Sequence, residues 1–255
     1  MKPFFTFQYP IRQQVKSVFS IVALLLSFAV ANCQMDHSMI KLYKGGENIF
    51  PSEWQSDKIQ AKATIAHNER TYALNELEKA LGKYPKDFDP KLKNIFLLGN
   101  FLYMGQKYPA AHTDENIYIG IRHNYEVEKI FHREFFEILL KNNASNFNTE
   151  DWIRLSHNTI KHEDAYTSNN IFSAQQLNPL LFGEGYLANY SLTSWENDVA
   201  VYAENLFAGG KEFWKIVDQY PLIRKKTMLV INFYHSLNPV YTENWFRFIS
   251  DFRLF

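Results

Sequence analysis

An apolar run at 17–31 ends just before the only cysteine of the chain, Cys33. Three basic residues and no acidic residue precede the run, and small residues close it, which is the pattern of a secretory signal peptide. The run is shorter than the ~20 apolar residues that a transmembrane helix needs. We therefore expect residues 1–33 to form a signal peptide outside the fold. A mature chain without a second cysteine has no internal disulfide, so buried apolar side chains must hold the fold together.

Two processing sites overlap at the end of this signal. Ala29-Val30-Ala31 fits cleavage by signal peptidase before Asn32, which would leave Cys33 as a free thiol. Val30-Ala31-Asn32-Cys33 resembles a bacterial lipobox, in which the cysteine becomes a lipidated N-terminus. Because several acyl chains hold a protein firmly on a membrane, the second interpretation predicts an exported lipoprotein of the bacterial cell envelope, anchored through Cys33.

The charge composition argues against nucleic acid as a partner. The chain has 27 Lys and Arg against 27 Asp and Glu, and three of the basic residues belong to the signal. The mature part is therefore slightly acidic, which gives no electrostatic footprint for nucleic acid. With 16% aromatic residues the remaining chain has ample material for one core. We expect a tether at 34–56 and a single domain at 57–255, and the sequence does not indicate an oligomeric state.

Hydrophobic periodicity predicts helices at 67–83 and 126–142, with strands at 93–103 and 116–121 between them. The first strand is expected to bend at Gly99. Further helices are predicted in the C-terminal half, at 149–155, 195–207, 211–220, 221–237 and 243–249. Ser194 or Thr193 would cap the second of these and Thr242 the last. The predicted class is α+β, in the order helix, small sheet, helix and C-terminal helical region.

Several segments resemble a known family. Residues 92–97 (LKNIFL), 116–119 (NIYI), 131–135 (FHREF) and 197–207 (NDVAVYAENLF) resemble the zinc metallopeptidase lipoproteins related to Mlc titration factor A. The resemblance extends over about residues 67–250. It implies a zincin-like fold, a zinc ion, and a peptide or protein as substrate or partner.

The metal-binding motif of that family is altered in this chain. In His-Glu-x-x-His on a helix, two histidines four residues apart hold zinc and the glutamate acts as general base. Glu134 matches the glutamate, which leaves Arg133 and Glu137 at the two histidine positions. Arginine cannot ligate a metal because it does not deprotonate in proteins. The remaining candidate ligands are His132 and Glu137 on this helix and Glu196 or Asp198 on the later one. His132 and Glu134 lie about 200° apart on a helix, so they would converge on one ion only with distortion.

A salt bridge fits these substitutions as well as a metal does. Arg133 and Glu137 are four residues apart and can pair on the face where zinc would lie. A carboxylate from Glu196 or Asp198 would then join the two helices through the guanidinium. This hypothesis predicts a zincin-like scaffold in which hydrolysis is impaired or lost and zinc is absent.

Two alternatives stay open beside it, a non-catalytic binding lipoprotein that keeps the peptide groove and a structural envelope lipoprotein. If a peptide is bound, strand 116–121 is expected to be the edge that pairs with it.

Overall fold

The computed structural model describes residues 37–54, 58–63, 66–85, 88, 91–121, 126–156 and 175–251. The predicted signal peptide and Cys33 lie outside these residues. None of the helices in the described ranges has the length and apolar character required to cross a membrane.

In the part of the chain that the structure describes, seven short strands form two sheets. They are β1 (Ile40–Leu42), β2 (Ile59–Lys62), β3 (Asn94–Leu98), β4 (Asn100–Tyr103), β5 (Gln106–Lys107), β6 (Ala110–His112) and β7 (Asn116–Gly120). The larger sheet has the order β1-β3-β7-β6, and the smaller one has the order β2-β4-β5. Strands β1, β3 and β7 are parallel, whereas β6 runs antiparallel to β7 at the outer position. The expectation that strand 116–121 is an edge is therefore wrong, because β7 pairs on both sides.

The described ranges contain seven α-helices, of which the second packs against strands β6 and β7 of the larger sheet. They are α1 (His67–Leu81), α2 (Val127–Asn142), α3 (Thr149–Leu155), α4 (Trp195–Ala208), α5 (Gly210–Gln219), α6 (Pro221–Leu237) and α7 (Glu243–Asp251). Short 3₁₀ helices occur at His37–Met39, Ala144–Asn146, Pro179–Glu184 and Asn189–Leu192. The predicted α+β class with a C-terminal helical region is confirmed.

Local sequence signals explain where several elements begin. The side chain of Ser194, not that of Thr193, caps α4 by accepting a hydrogen bond from the backbone N–H of Asn197 at 3.1 Å. Pro221 opens α6 at a position where its missing N–H costs nothing. At Gly99 the predicted strand 93–103 bends as expected, and its two halves become β3 in one sheet and β4 in the other.

Part of the segment predicted as a tether, 34–56, is folded against the domain. Strand β1 pairs with β3, with Ile40 opposite Ile95. Tyr43 is buried beyond the end of β1, and the Tyr118 hydroxyl donates a 2.7 Å hydrogen bond to the carbonyl of Ile49. The fold therefore starts well before residue 57, because β1 is needed to complete the larger sheet.

Helix α2 lies at the centre of the molecule, in contact with α1, α4 and the two strands β6 and β7. Twelve of its 16 residues are buried, and these include the polar residues Glu128, His132, Arg133 and Glu134. A helix that is buried over most of its surface must satisfy such groups within the protein, since an unpaired buried charge is costly. The candidate site is therefore expected around these buried polar residues of α2.

The close approach of the two sheets at Gly120 gives a test of the fold. A Cβ atom on Gly120 would lie 2.9 Å from the Cβ of Phe101 in β4, whereas one on Gly183 would meet nothing within 4 Å. We expect Gly120→Ala to lower the free energy of unfolding by about 1–3 kcal/mol through overpacking. Gly183→Ala should change it by less than about 0.5 kcal/mol. Urea denaturation would measure both, and equal effects would contradict this packing.

Candidate functional site

The interface between α2 and α4 contains Arg133 and Glu137, which stand at the two histidine positions of the metal motif. Arg133 contacts Glu204 across it. One turn further along α2, Glu137 is close enough to Glu196, at the start of α4, for the charge of Glu196 to raise its pKa. The two helices therefore run antiparallel, and the middle of α2 faces the end of α4.

Arg133 is the centre of this interface. Its side chain is 2% exposed, and Nη1 donates to Oε2 of Glu204 at 3.3 Å. Nε lies 3.5 Å from Oε1 of Glu134, and the guanidinium carbon lies 5.6 Å from the centre of the Tyr190 ring. Burial opposes the charge, but the carboxylates of Glu204 and Glu134 outweigh it and raise the pKa of Arg133 further above its ordinary value. The site thus contains a permanent cation at every accessible pH.

Glu204 supplies the carboxylate from the facing helix. Burial raises its pKa to about 7, although the charge of Arg133 acts in the opposite direction. Its second oxygen, Oε1, accepts a 3.4 Å hydrogen bond from the side-chain amide of Asn205. Glu204 can therefore exchange a proton near neutral pH while it remains the partner of Arg133.

A second group of charges joins α2 to the outer strand β6. His112 places Nδ1 2.9 Å from Oε2 of Glu134 and Nε2 3.6 Å from Oε2 of Glu137. Burial opposes protonation of His112, but the hydrogen bond and charge of Glu134 outweigh it and raise the pKa of the imidazole above 6.5. The pKa of Glu134 is lowered because His112 and Arg133 outweigh its burial. Burial and the charge of Glu134 raise the pKa of Glu137 to about 7.

The structure places His132 away from this site. Its side chain is fully buried, with Nδ1 2.9 Å from the Tyr84 hydroxyl and its ring stacked on Phe207 at a centroid distance of 4.5 Å. Burial, assisted by the charge of Lys83, lowers the pKa of His132 to about 4. The predicted role of His132 as a metal ligand does not fit this position, because the ring belongs to the aromatic core on another face of α2.

The candidate ligands on α4 are also placed elsewhere. Asp198 is buried and pairs with Lys226 of α6 at 2.7 Å. Glu196 is exposed near Glu137, and the described ion pairs of Arg133 go to Glu134 and Glu204. The predicted bridge from Arg133 to Glu137 and Glu196 is therefore corrected. The guanidinium does join the two helices, but its partner on the second helix lies eight residues further on.

These residues do not fit a zinc ion. Catalytic zinc needs about three protein ligands with lone pairs that converge on one point, and here a guanidinium occupies the centre. Both ring nitrogens of His112 are directed at carboxylates, so neither is available to a metal in this arrangement. Among the described residues, no group of three or more His, Cys, Asp or Glu side chains has the geometry to hold a metal ion.

The chain was compared with protein-family models, curated proteins and solved structures. No protein-family model matches the chain, and no curated protein matches it. Among solved structures, it is similar to a crystal structure from Bacteroides caccae described as a "putative zinc-binding metallo-peptidase". The identity is 16% and the TM-score 0.49, with 97% of this chain and 98% of the other covered. A likeness of this size leaves the function to be argued from the residues themselves.

Two residues of the site have roles that the sequence did not indicate, Glu204 and His112. Glu204 stands in an apolar stretch of α4, where a buried carboxylate needs a cationic partner. The sequence therefore indicated that Glu204 needs a cationic partner, but it did not indicate that this partner is Arg133. His112 gave no local signal, since its role depends on the pairing of β6 beside α2.

The ion pair of Arg133 can be tested through stability. In Arg133→Met the apolar stem is kept, but Glu134 and Glu204 lose their shared cation in a buried interface. We expect a loss of about 3–5 kcal/mol in the free energy of unfolding at pH 8. The loss should shrink near pH 5, because a protonated Glu204 no longer needs a cation.

Arg154 provides the matched control for this variant. It is 77% exposed and pairs with Asp151 on the same helix, so Arg154→Met should cost no more than about 0.5 kcal/mol. Chemical denaturation at both pH values measures the difference. Equal losses in the two variants, or a loss in Arg133→Met that does not vary with pH, would contradict the proposed pairing.

The charge state of His112 can be followed by NMR titration of the eight histidines. We expect His112 to titrate above 6.5 and His132 near pH 4. Replacement of the partner in Glu134→Gln should lower the pKa of His112 and leave that of His132 unchanged. Since a raised histidine pKa stabilises the folded state, this contribution is complete below pH 6.5 and is lost as the pH rises through the folded value. A His112 pKa at or below 6.5 in the parent protein would refute the pairing.

Proposed function

We propose that this chain is an exported, lipid-anchored protein of the bacterial cell envelope with a metallopeptidase-like scaffold that has lost hydrolysis. It binds a peptide or protein in place of cutting it. The observation that carries the proposal is Arg133, a buried permanent cation at the position of the first metal-binding histidine.

Charge repulsion supports the loss of the metal. A divalent ion beside a guanidinium would have to overcome a like charge in a region where water does not screen it well. The carboxylates that might offset this repulsion, Glu134 and Glu204, already neutralise Arg133. Glu134 therefore lacks the metal-bound water on which the glutamate of the motif acts as a base.

The outer strand supports a binding role. β6 is the last strand in the order of the larger sheet and lies against α2. A short outer strand can add an extended peptide by backbone hydrogen bonds, with side-chain contacts giving specificity. Half-buried His112 on β6 and Glu137 on α2 would then be the charged side chains that such a ligand meets.

The alternative that keeps catalysis is tested with Glu134→Gln. Hydrolysis of an unfolded protein such as casein should be absent in the parent protein, and neither a chelator nor Glu134→Gln should change this. Peptides selected for binding to the parent protein should also bind Glu134→Gln with a Kd changed by no more than about tenfold, since Glu134 is buried and the substitution keeps the size of its side chain. Casein hydrolysis that disappears in Glu134→Gln or on chelation would establish an active peptidase and end the proposal.

A further inference from the structure

The short distance along the chain from Cys33 to the fold has a consequence for how the domain meets the membrane. The first described residue, His37, follows Cys33 by four positions. Four residues span at most about 14 Å when fully extended. If Cys33 carries the lipid, which rests on the proposed function, His37 cannot move further than this from the bilayer surface.

The segment after His37 is fixed to the domain and cannot extend the reach. His37 Nδ1 lies 3.9 Å from Oε1 of Glu78 on α1. The next strand, β1, pairs with β3, and the N–H of Tyr43 donates to the carbonyl of Leu97 at 3.0 Å. Tyr43 is 9% exposed and packs in an aromatic cluster with Phe50. The lipid would therefore be tied to a rigid part of the fold.

The lipid would hold the domain at one end of the larger sheet. Because β1, β3 and β7 are parallel, they all begin at the end where His37 lies. The last turns of α1 and α2 reach the same end, where Lys141 pairs with Asp114 at 2.5 Å and Lys93 pairs with Glu115 at 2.6 Å. Each of these exposed lysines is neutralised by a carboxylate, so this end has no excess positive charge to attract the bilayer. The lipid must therefore attach the domain, and the short segment between Cys33 and His37 must set the orientation of the domain.

We propose that the end of the domain where β1, β3 and β7 begin, which we call the anchor end, faces the lipid bilayer at close range. Ile40, Ile95, Ile117 and His112 form one register row across the sheet. At about 4.8 Å between strands, this row places His112 about 14 Å from Ile40. The candidate site therefore lies near the anchor end, and a partner would meet it close to the bilayer surface.

The test uses the full lipidated chain in phosphatidylcholine vesicles that contain a headgroup spin-label quencher. A fluorophore is attached at Lys93→Cys, at the anchor end, or at Asn68→Cys, on the exposed first turn of α1. Asn68 lies ten residues before Glu78 on this helix, which is about 15 Å along the helix axis. We expect marked loss of fluorescence at position 93 and little at position 68.

A spacer provides the matched control. A flexible Gly/Ser insertion of about 20 residues after Gln34 has a mean reach of about 25 Å, so it should remove the difference between the two positions. Equal quenching at both positions in the protein without the spacer, or stronger quenching at position 68, would overturn the orientation while the lipid anchor stands.

The same experiment separates this inference from the proposed anchor. Lipid on Cys33 removes the only native thiol, so the parent protein should take up no thiol-reactive dye and should float with the vesicles. A parent protein that labels at Cys33 and stays in solution would refute the anchor, and the membrane-facing surface with it.

Discussion

The charge of Arg133 is the constraint to which the centre of this molecule is adapted. A guanidinium keeps its proton under all ordinary conditions, and this one is buried between two helices. Its neutralisation requires carboxylates at short range from both helices, and Glu134 and Glu204 supply them. The register between α2 and α4 is thereby tied to an electrostatic contact as well as to apolar packing.

The surrounding charges follow from this contact. Glu134 is shared between Arg133 and His112, which makes β6 part of the same network as the two helices. Burial raises the pKa of both Glu137 and Glu204 to about 7, and the charge of the ionised Glu134 acts in the same direction. The site is therefore sensitive to pH near 7, where Glu137 and Glu204 change charge.

Other polar residues of α2 make their contacts outside this site. Glu128 pairs with Lys83 at 2.5 Å, and Lys83 also donates to the carbonyl of Phe207 at 2.6 Å. His132 is held by Tyr84 within the aromatic core. A single helix thus carries a structural polar face and a site face, and adjacent residues such as His132 and Arg133 serve different ones.

The sequence predicted the long elements and the altered motif well. Periodic apolar residues located α1, α2 and the C-terminal helices, and the step from Leu98 to Asn100 was foreseen at Gly99. The short strands β1 and β6 were missed, because three residues carry no period and their structure depends on pairing partners distant in sequence. Arg133 was recognised as an obstacle to zinc, but its expected partner on the later helix was Glu196 or Asp198, and Glu204 was not among the candidates. The choice between carboxylates eight residues apart on one helix, about 12 Å along its axis, requires the interhelical register, which local patterns do not contain.

Metal analysis of the purified native protein tests the central claim most directly. After dialysis and on titration with zinc, the protein should contain far less than one zinc ion per chain, as expected for a site built around a permanent cation. One tightly bound zinc ion per chain, located beside Arg133 by anomalous scattering, would contradict the account.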